Sequence, residues 1–97
     1  MFDEMAVRFV FLGTLREFAG HVDEVEARGA TLSEALQSLR SAEPALGDSI
    51  CDEHGRVREL INVFVGGREV RSLEGERTRL RDGDRVIVVP SVAGGEE

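Results

Sequence analysis

The chain has 97 residues, of which 41% are hydrophobic and 32% are charged, and its formal net charge is -7. This length suits one domain with a modest core. The acidic balance argues against nucleic acid as a partner, because phosphate binding needs a basic surface, and favours a basic groove on another protein. No apolar stretch has the length of a membrane span, and residues 1–4 carry acid where a signal peptide carries base, so we expect a cytoplasmic protein that does not bind membranes.

Residue counts further limit the chemistry of this chain. A single cysteine, Cys51, excludes an internal disulfide and a multi-cysteine zinc or iron–sulfur site. Its neighbours Asp52 and Glu53 disfavour the thiolate, which indicates a structural cysteine. His21 and His54 lie far apart without a metal-ligand spacing, so we predict no metal site. All 12 basic residues are arginine, so no lysine amine is available for acylation.

The N-terminal part predicts two strands and a short turn. Residues 5–12 are rich in β-branched and aromatic side chains, with Val7, Phe9 and Phe11 on one face. Residues 14–19 suggest a short helical turn. Residues 21–28 lie between two glycines and alternate imperfectly, which favours a second strand paired with the first.

The clearest prediction is a helix over residues 32–42. Thr31 and Glu34 form a capping box, in which the hydroxyl accepts a free N–H and the carboxylate reaches back. Apolar residues then recur at helical spacing, and Pro44 ends the helix. We predict that residues 45–55 are a connection anchored by Leu46 and Ile50, with a turn at 52–55.

The C-terminal half predicts three more strands. They cover residues 60–65, 68–71 and 85–90, with a hairpin turn at Gly66-Gly67, an irregular crossing at 72–81 and a turn at 82–84. Because residues 86–89 are all apolar, we expect the last strand to be buried on both faces in the middle of the sheet, parallel to the first. The predicted fold is α+β, a mixed sheet of about five strands with one main helix on one face. We expect a single domain over 1–97, with a flexible tail from about residue 91.

Several segments of the chain match the pattern of one known family. They are residues 11–20 (FLGTLREFAG), 30–36 (ATLSEAL), 62–65 (NVFV) and 70–71 (VR). The most specific segment is residues 80–95 (LRDGDRVIVVPSVAGG), where an Asp-Gly-Asp turn, an apolar strand, a proline and a Gly-Gly pair follow one another. In these segments the chain resembles the MoaD/ThiS family of sulfur carriers and their ubiquitin-like relatives, which have the β-grasp fold. Glu96 and Glu97 depart from the usual pattern, in which the second glycine ends the chain.

The resemblance implies a carrier that is not itself an enzyme. The Gly95 carboxylate would be adenylated by a ubiquitin-activating-type adenylyltransferase that uses ATP, and then converted to a thiocarboxylate. A sulfur-accepting synthase, for example the molybdopterin synthase large subunit, would take the sulfur. Either a peptidase would first remove Glu96 and Glu97, or the chain is not activated as it stands. No permanently bound cofactor is implied. The implied binding residues are Gly94, Ala93, Val92, Pro90 and Phe64, with Val70 and Val88 as further candidates for the partner surface.

Two alternatives remain open at this point. The chain could be a ubiquitin-like modifier that is joined through Gly95 to lysines on other proteins. It could also be a β-grasp binding module that is never activated, with an inert tail.

Overall fold

The computed structural model describes residues 5–13 and 24–90, and every structural statement below refers to those residues. They form five strands and two helices, together with 3₁₀ turns at Val70–Ser72 and Gly75–Arg77. The elements in chain order are β1 (Ala6–Phe11), β2 (Glu24–Arg28), α1 (Leu32–Ala42), α2 (Pro44–Ile50), β3 (Ile61–Val65), β4 (Arg68–Glu69) and β5 (Arg85–Pro90). The predicted turn at 14–19, the first residues of the predicted second strand and the tail from residue 91 lie outside the described residues.

The five strands form one mixed sheet in the order β2-β1-β5-β3-β4. Strand β5 runs parallel to β1 and antiparallel to β3, so the predicted central place of the last strand is confirmed. The predicted parallel pairing of the first and last strands is also confirmed. Because β5 is hydrogen-bonded on both edges, neither edge is left for another chain.

The core lies between one face of the sheet and the two helices. Val7, Phe9 and Phe11 of β1 are fully buried, as their alternation predicts. The rings of Phe9 and Phe11 stack with centroids 6.2 Å apart. Leu36 and Leu39 of α1 pack into the same cluster, so the sheet and the helices share one core.

Helix α1 begins and ends where the sequence predicts. The Thr31 hydroxyl accepts the Glu34 N–H at 3.2 Å, and the Glu34 carboxylate accepts the Ala30 N–H at 2.8 Å. The first bond satisfies a backbone donor of the first helical turn, and the second satisfies the N–H of the residue before the N-cap. The buried residues of α1 are Leu32, Ala35, Leu36 and Leu39.

The predicted connection at 45–55 is wrong over its first half, because α2 occupies Pro44–Ile50. Pro44 ends α1 and also starts α2, since the first turn of a helix does not need the N–H that proline lacks. Leu46 and Ile50 lie one turn apart and are fully buried. Gly47 allows a close approach to α1, since a Cβ there would lie 2.7 Å from the Arg40 Cα.

The hairpin at Gly66-Gly67 is confirmed, and the strand after it is shorter than predicted. Both glycines have positive φ, 62° and 81°, as a tight two-residue turn requires. Strand β4 covers only Arg68 and Glu69, and the chain then enters a 3₁₀ turn that carries Val70 into the core.

The expectation that β5 is buried on both faces is wrong. Val86 and Val88 are fully buried against the helices, whereas Ile87 and Val89 are only half-buried. Both described helices cover the same face of the sheet. The continuous apolar run therefore reflects a core face and a second apolar face that no described element covers.

Candidate functional site

Only some of the proposed site residues belong to the described part of the chain. Val92, Ala93, Gly94 and Gly95 are outside the described residues, so their roles stay predictions. Pro90 and Phe64 are described, and both are half-buried. Pro90 is the last residue of β5, and Gly95 lies five positions after it along the chain. The place where the tail begins is therefore described, and we call it the tail base.

The tail base lies between the end of β1 and the start of β3. Pro90 is paired with Ile61 in the β3–β5 register. On its other side, a Cβ on Gly13 would lie 3.2 Å from the proline ring, and Gly13 has a positive φ of 66°. A side chain at position 13 would therefore be strained and would also press on the tail base.

Arg71 fixes the β3 side of the tail base. Its guanidinium donates to the carbonyl oxygens of Arg58 and Ile61 at 2.9 and 3.0 Å. It also donates to the Asn62 amide oxygen at 3.2 Å and to the Glu69 carboxylate at 3.1 Å. Four acceptors in this arrangement match the fork of an arginine and not the single ammonium group of a lysine. The sequence alone gave no sign of this role beyond the Val70-Arg71 pair of the family pattern.

The uncovered face of the sheet carries an apolar row that runs across its three middle strands. Val10 of β1 lies opposite Ile87 of β5, and Ile87 lies opposite Phe64 of β3. Residues directly opposite each other share a face, so these side chains are neighbours. Val89 and Leu12 continue the row towards the tail base, and Leu12 is 44% exposed. We call these five residues the open-face patch.

The candidates for the partner surface divide between this patch and the core. Phe64 belongs to the open-face patch. Val70 and Val88 are 1% and 0% exposed and belong to the core. Val10 and Ile87 were not among the residues predicted for the partner surface, although the alternation of Val7, Phe9 and Phe11 already places Val10 on the opposite face.

Charged side chains border the open-face patch on the β2 side. Glu24 forms ion pairs with Arg8 at 3.4 Å and with Arg85 at 3.7 Å. Arg8 and Arg85 lie opposite each other on neighbouring strands, so the Glu24 carboxylate offsets their mutual repulsion. On the other side, Glu69 lies opposite Phe64. The patch is thus an apolar row with polar borders, the composition of a protein-binding surface.

Cys51 does not contribute to this site. It is 2% exposed, and burial raises the pKa of its thiol to about 11, against a smaller opposing effect of Arg40. Asp52 beside it accepts the backbone N–H groups of Arg56 and His54, and these bonds lower the pKa of its carboxyl. Within residues 5–13 and 24–90, no three histidine, cysteine or acidic side chains are grouped to hold a metal ion.

No helix in the described part of the chain has the length and apolar character that crossing a membrane requires.

Comparison with known proteins assigns the family. A model of the ThiS family matches residues 9–95, which is most of the chain and ends on the second glycine of the Gly-Gly pair. The chain belongs to the ThiS family. This assignment confirms the resemblance that the sequence segments suggested.

Curated relatives of this ThiS-family chain include a modifier and a sulfur carrier. It is 37% identical over 97 residues to small archaeal modifier protein 3 of Haloferax volcanii, a match that covers 94% of this chain and all of the relative. It is 31% identical over 83 residues to the sulfur carrier protein CysO of Mycobacterium tuberculosis, covering 84% of this chain and 89% of the relative. Its relatives are thus small carrier or modifier proteins.

A solved structure agrees with the observed fold. A chain in the crystal structure of the Amycolatopsis orientalis BexX/CysO complex superposes with a TM-score of 0.81 at 31% identity. The match covers 92% of this chain and 99% of that chain. The predicted β-grasp, ubiquitin-like architecture is confirmed.

Proposed function

We propose that this chain is a cytoplasmic sulfur carrier whose reactive group is the carboxylate of Gly95. A peptidase removes Glu96 and Glu97, and a ubiquitin-activating-type adenylyltransferase then uses ATP to form the Gly95 acyl-adenylate. A sulfur donor displaces AMP to give a thiocarboxylate, which a sulfur-accepting synthase consumes. The chain carries the reactive group, and its partners supply the catalytic residues and bind the ATP.

The observation that supports this proposal most strongly is the extent of the family match. The match runs from residue 9, within β1, to Gly95, so that Glu96 and Glu97 lie beyond it. The five residues 91–95 follow the tail base and end at Gly95, and fully extended they reach at most about 18 Å. That reach is enough to enter a pocket of a partner that is docked on the open-face patch.

The residue types of the tail suit this chemistry. A carboxylate is a poor electrophile, so it must first be activated as an acyl group before sulfur can attack it. Glycine at position 95 leaves the acyl carbon without a neighbouring side chain, and Gly94 lets the backbone approach a partner closely. A partner that excludes water around this group would also protect the acyl-adenylate from hydrolysis.

The second candidate function is conjugation to other proteins. The 37% identity with small archaeal modifier protein 3, over that protein's full length, favours it. In this reaction, a lysine amine of the target would attack the same activated Gly95 carbonyl carbon. Both functions therefore require the same first step and differ only in the nucleophile.

Adenylation tests the shared step. The chain ending at Gly95 is mixed with the ubiquitin-activating-type adenylyltransferase of the same organism, ATP and labelled pyrophosphate. We expect ATP–pyrophosphate exchange with this chain, and none with the 97-residue chain or with a chain ending at Val92. Equal exchange with all three would show that Gly95 is not the activated residue.

Adding acceptors separates the later steps. With a persulfide donor, the persulfide displaces AMP to form an acyl disulfide, and an added thiol reduces it to the thiocarboxylate and a disulfide. Desulfuration of the carrier then follows on addition of the accepting synthase. The molybdopterin synthase large subunit is one acceptor to test, and a cysteine-forming synthase is another. Product formed with one of them and not with the other identifies the pathway.

A further inference from the structure

The cationic residues of this chain are of one kind. All 12 basic residues are arginine, and 19 residues are acidic. Arginine and lysine both keep a surface charged and soluble, but they differ in hydrogen-bond geometry and in reactivity. A neutral lysine amine attacks acyl groups, whereas the guanidinium of arginine stays protonated and does not.

Hydrogen-bond geometry accounts for some of the arginines. Arg71 uses its fork on four acceptors, as described above. Arg40 directs Nε and Nη2 at the same Asp48 oxygen, both at 3.1 Å. Arg58 donates from Nε to the Asp48 carbonyl oxygen at 2.9 Å.

The fold does not account for five others. Among the described residues, their side chains make no hydrogen bond or ion pair, and all five are exposed. They are Arg56, Arg68, Arg77, Arg79 and Arg81. Lysine would give the same charge at these positions, and unlike arginine it would add a nucleophilic amine.

We propose that the arginine-only surface keeps the side chains of this chain from accepting its own activated C-terminus. This inference rests on the proposed activation of Gly95. In a chain with a reachable lysine, the neutral amine would attack the Gly95 carbonyl carbon and form an amide bond. The bond to AMP or to a thiol would break, that group would leave with the electron pair, and the amine proton would pass to solvent. The product would be a dead end for sulfur transfer and for conjugation.

Self-acylation would be most favourable near the tail base. The Arg58 carbonyl accepts the N–H of Ile61, which is paired with Pro90, so Arg58 lies beside the tail base. Arg81 lies at the opposite end of β5, where its carbonyl accepts the Asp84 N–H. The two ends of β5 are about 17 Å apart, close to the full reach of the five-residue tail. A lysine at position 58 would therefore lie near the tail base, and a lysine at position 81 would lie far from it, so the two positions form a matched pair.

A chemically prepared thioester tests the inference without any activating enzyme. The chain ending at Gly95 is made as a C-terminal thioester by intein cleavage with a small thiol, in wild-type, Arg58→Lys and Arg81→Lys forms. The truncation leaves the core intact, since the core cluster ends at Val88. Leu60→Lys, at a position that is 66% exposed beside Ile61, serves as a second near variant.

Each thioester is incubated at protein concentrations well below the millimolar effective concentration of a short tether. Peptide mass spectrometry then locates each amide formed by Gly95, which separates lysine adducts from any adduct at the α-amine. We expect the near variants to form an intramolecular lysine amide roughly tenfold more than Arg81→Lys does. Near variants with no lysine amide would overturn the inference. A failed adenylation assay would instead count against the proposed function and would leave this readout unchanged.

Discussion

Arg71 joins parts of the chain that would otherwise meet only through backbone pairing. Its guanidinium bonds to Arg58 and Ile61 before β3 and at its start, and to Glu69 at the end of β4. Because Ile61 is paired with Pro90, these bonds also support the strand from which the tail begins. A single side chain thus connects the edge of the sheet to the tail base.

Replacing Arg71 with lysine should lower stability. A lysine keeps the charge but cannot reach four acceptors in the fork arrangement, so we expect a loss of about 1–2 kcal/mol in the free energy of unfolding. Urea denaturation measures this loss. Arg77→Lys is the matched control, because the Arg77 side chain is exposed and makes no described hydrogen bond. Equal stability of the two variants would contradict the role given to Arg71.

Cys51 should be unreactive in the folded protein. Burial raises the pKa of the thiol from 9.0 to about 11, which lowers the thiolate fraction at neutral pH about 100-fold. A thiol reagent should therefore react slowly with the native chain and rapidly in denaturant. Because the thiol pKa is higher in the folded chain, the unfolded chain releases this proton at a lower pH. The free energy of unfolding therefore falls as the pH rises from about 9 to about 11. Rapid labelling of the native chain at pH 7 would contradict this.

Among the secondary-structure elements, α2 shows how close packing can reverse a helix propensity. Alanine normally favours a helix over glycine. At position 47, however, a Cβ would lie 2.7 Å from the Arg40 Cα, which is backbone and cannot move away easily. We expect Gly47→Ala to destabilise the protein by on the order of 1–3 kcal/mol. Thermal unfolding measures this loss of stability. The control is Ala45→Gly, at an exposed position of the same helix, which should cost about 1 kcal/mol or less. A stabilised Gly47→Ala would contradict the packing described here.

Substitutions at two neighbouring residues of β5 should have opposite effects on folding. Val88 is fully buried, so Val88→Asp places an unpaired charge in the core and should unfold the domain. Ile87 belongs to the open-face patch, so Ile87→Asp should fold and lose binding to the activating enzyme. Circular dichroism and a binding titration distinguish the two variants. A folded Val88→Asp would place that side chain at an interface instead.

The elements with strong local signals could be predicted from the sequence. Helix α1 has a capping box, an apolar stripe and a proline stop, and its bounds are as predicted. Helix α2 could not be predicted, because it is short and contains a glycine. The reason for that glycine, close contact with α1, is seen only in the folded structure. The uncovered face of β5 was missed because an apolar run does not reveal which face a helix covers. The positions of Phe64 and Pro90 likewise depend on the register of the sheet.

For the whole molecule, we propose separate roles for the domain and the tail. The buried core extends from Val7 to Val88, and residues 91–97 follow it. Deleting Gly94 and Gly95 should therefore change the free energy of unfolding by less than about 0.5 kcal/mol and abolish adenylation. Denaturant melts and the pyrophosphate exchange assay measure the two effects. A deletion variant that is still adenylated would contradict the role given to Gly95.

The intact mass of the protein recovered from its own cells tests the central claim most directly. The proposal predicts a species that lacks both terminal glutamates and has one carboxylate oxygen replaced by sulfur. A species attached to a target peptide through Gly95 would instead support conjugation. The unchanged 97-residue mass under every growth condition would contradict activation of this chain and favour a binding module with an inert tail.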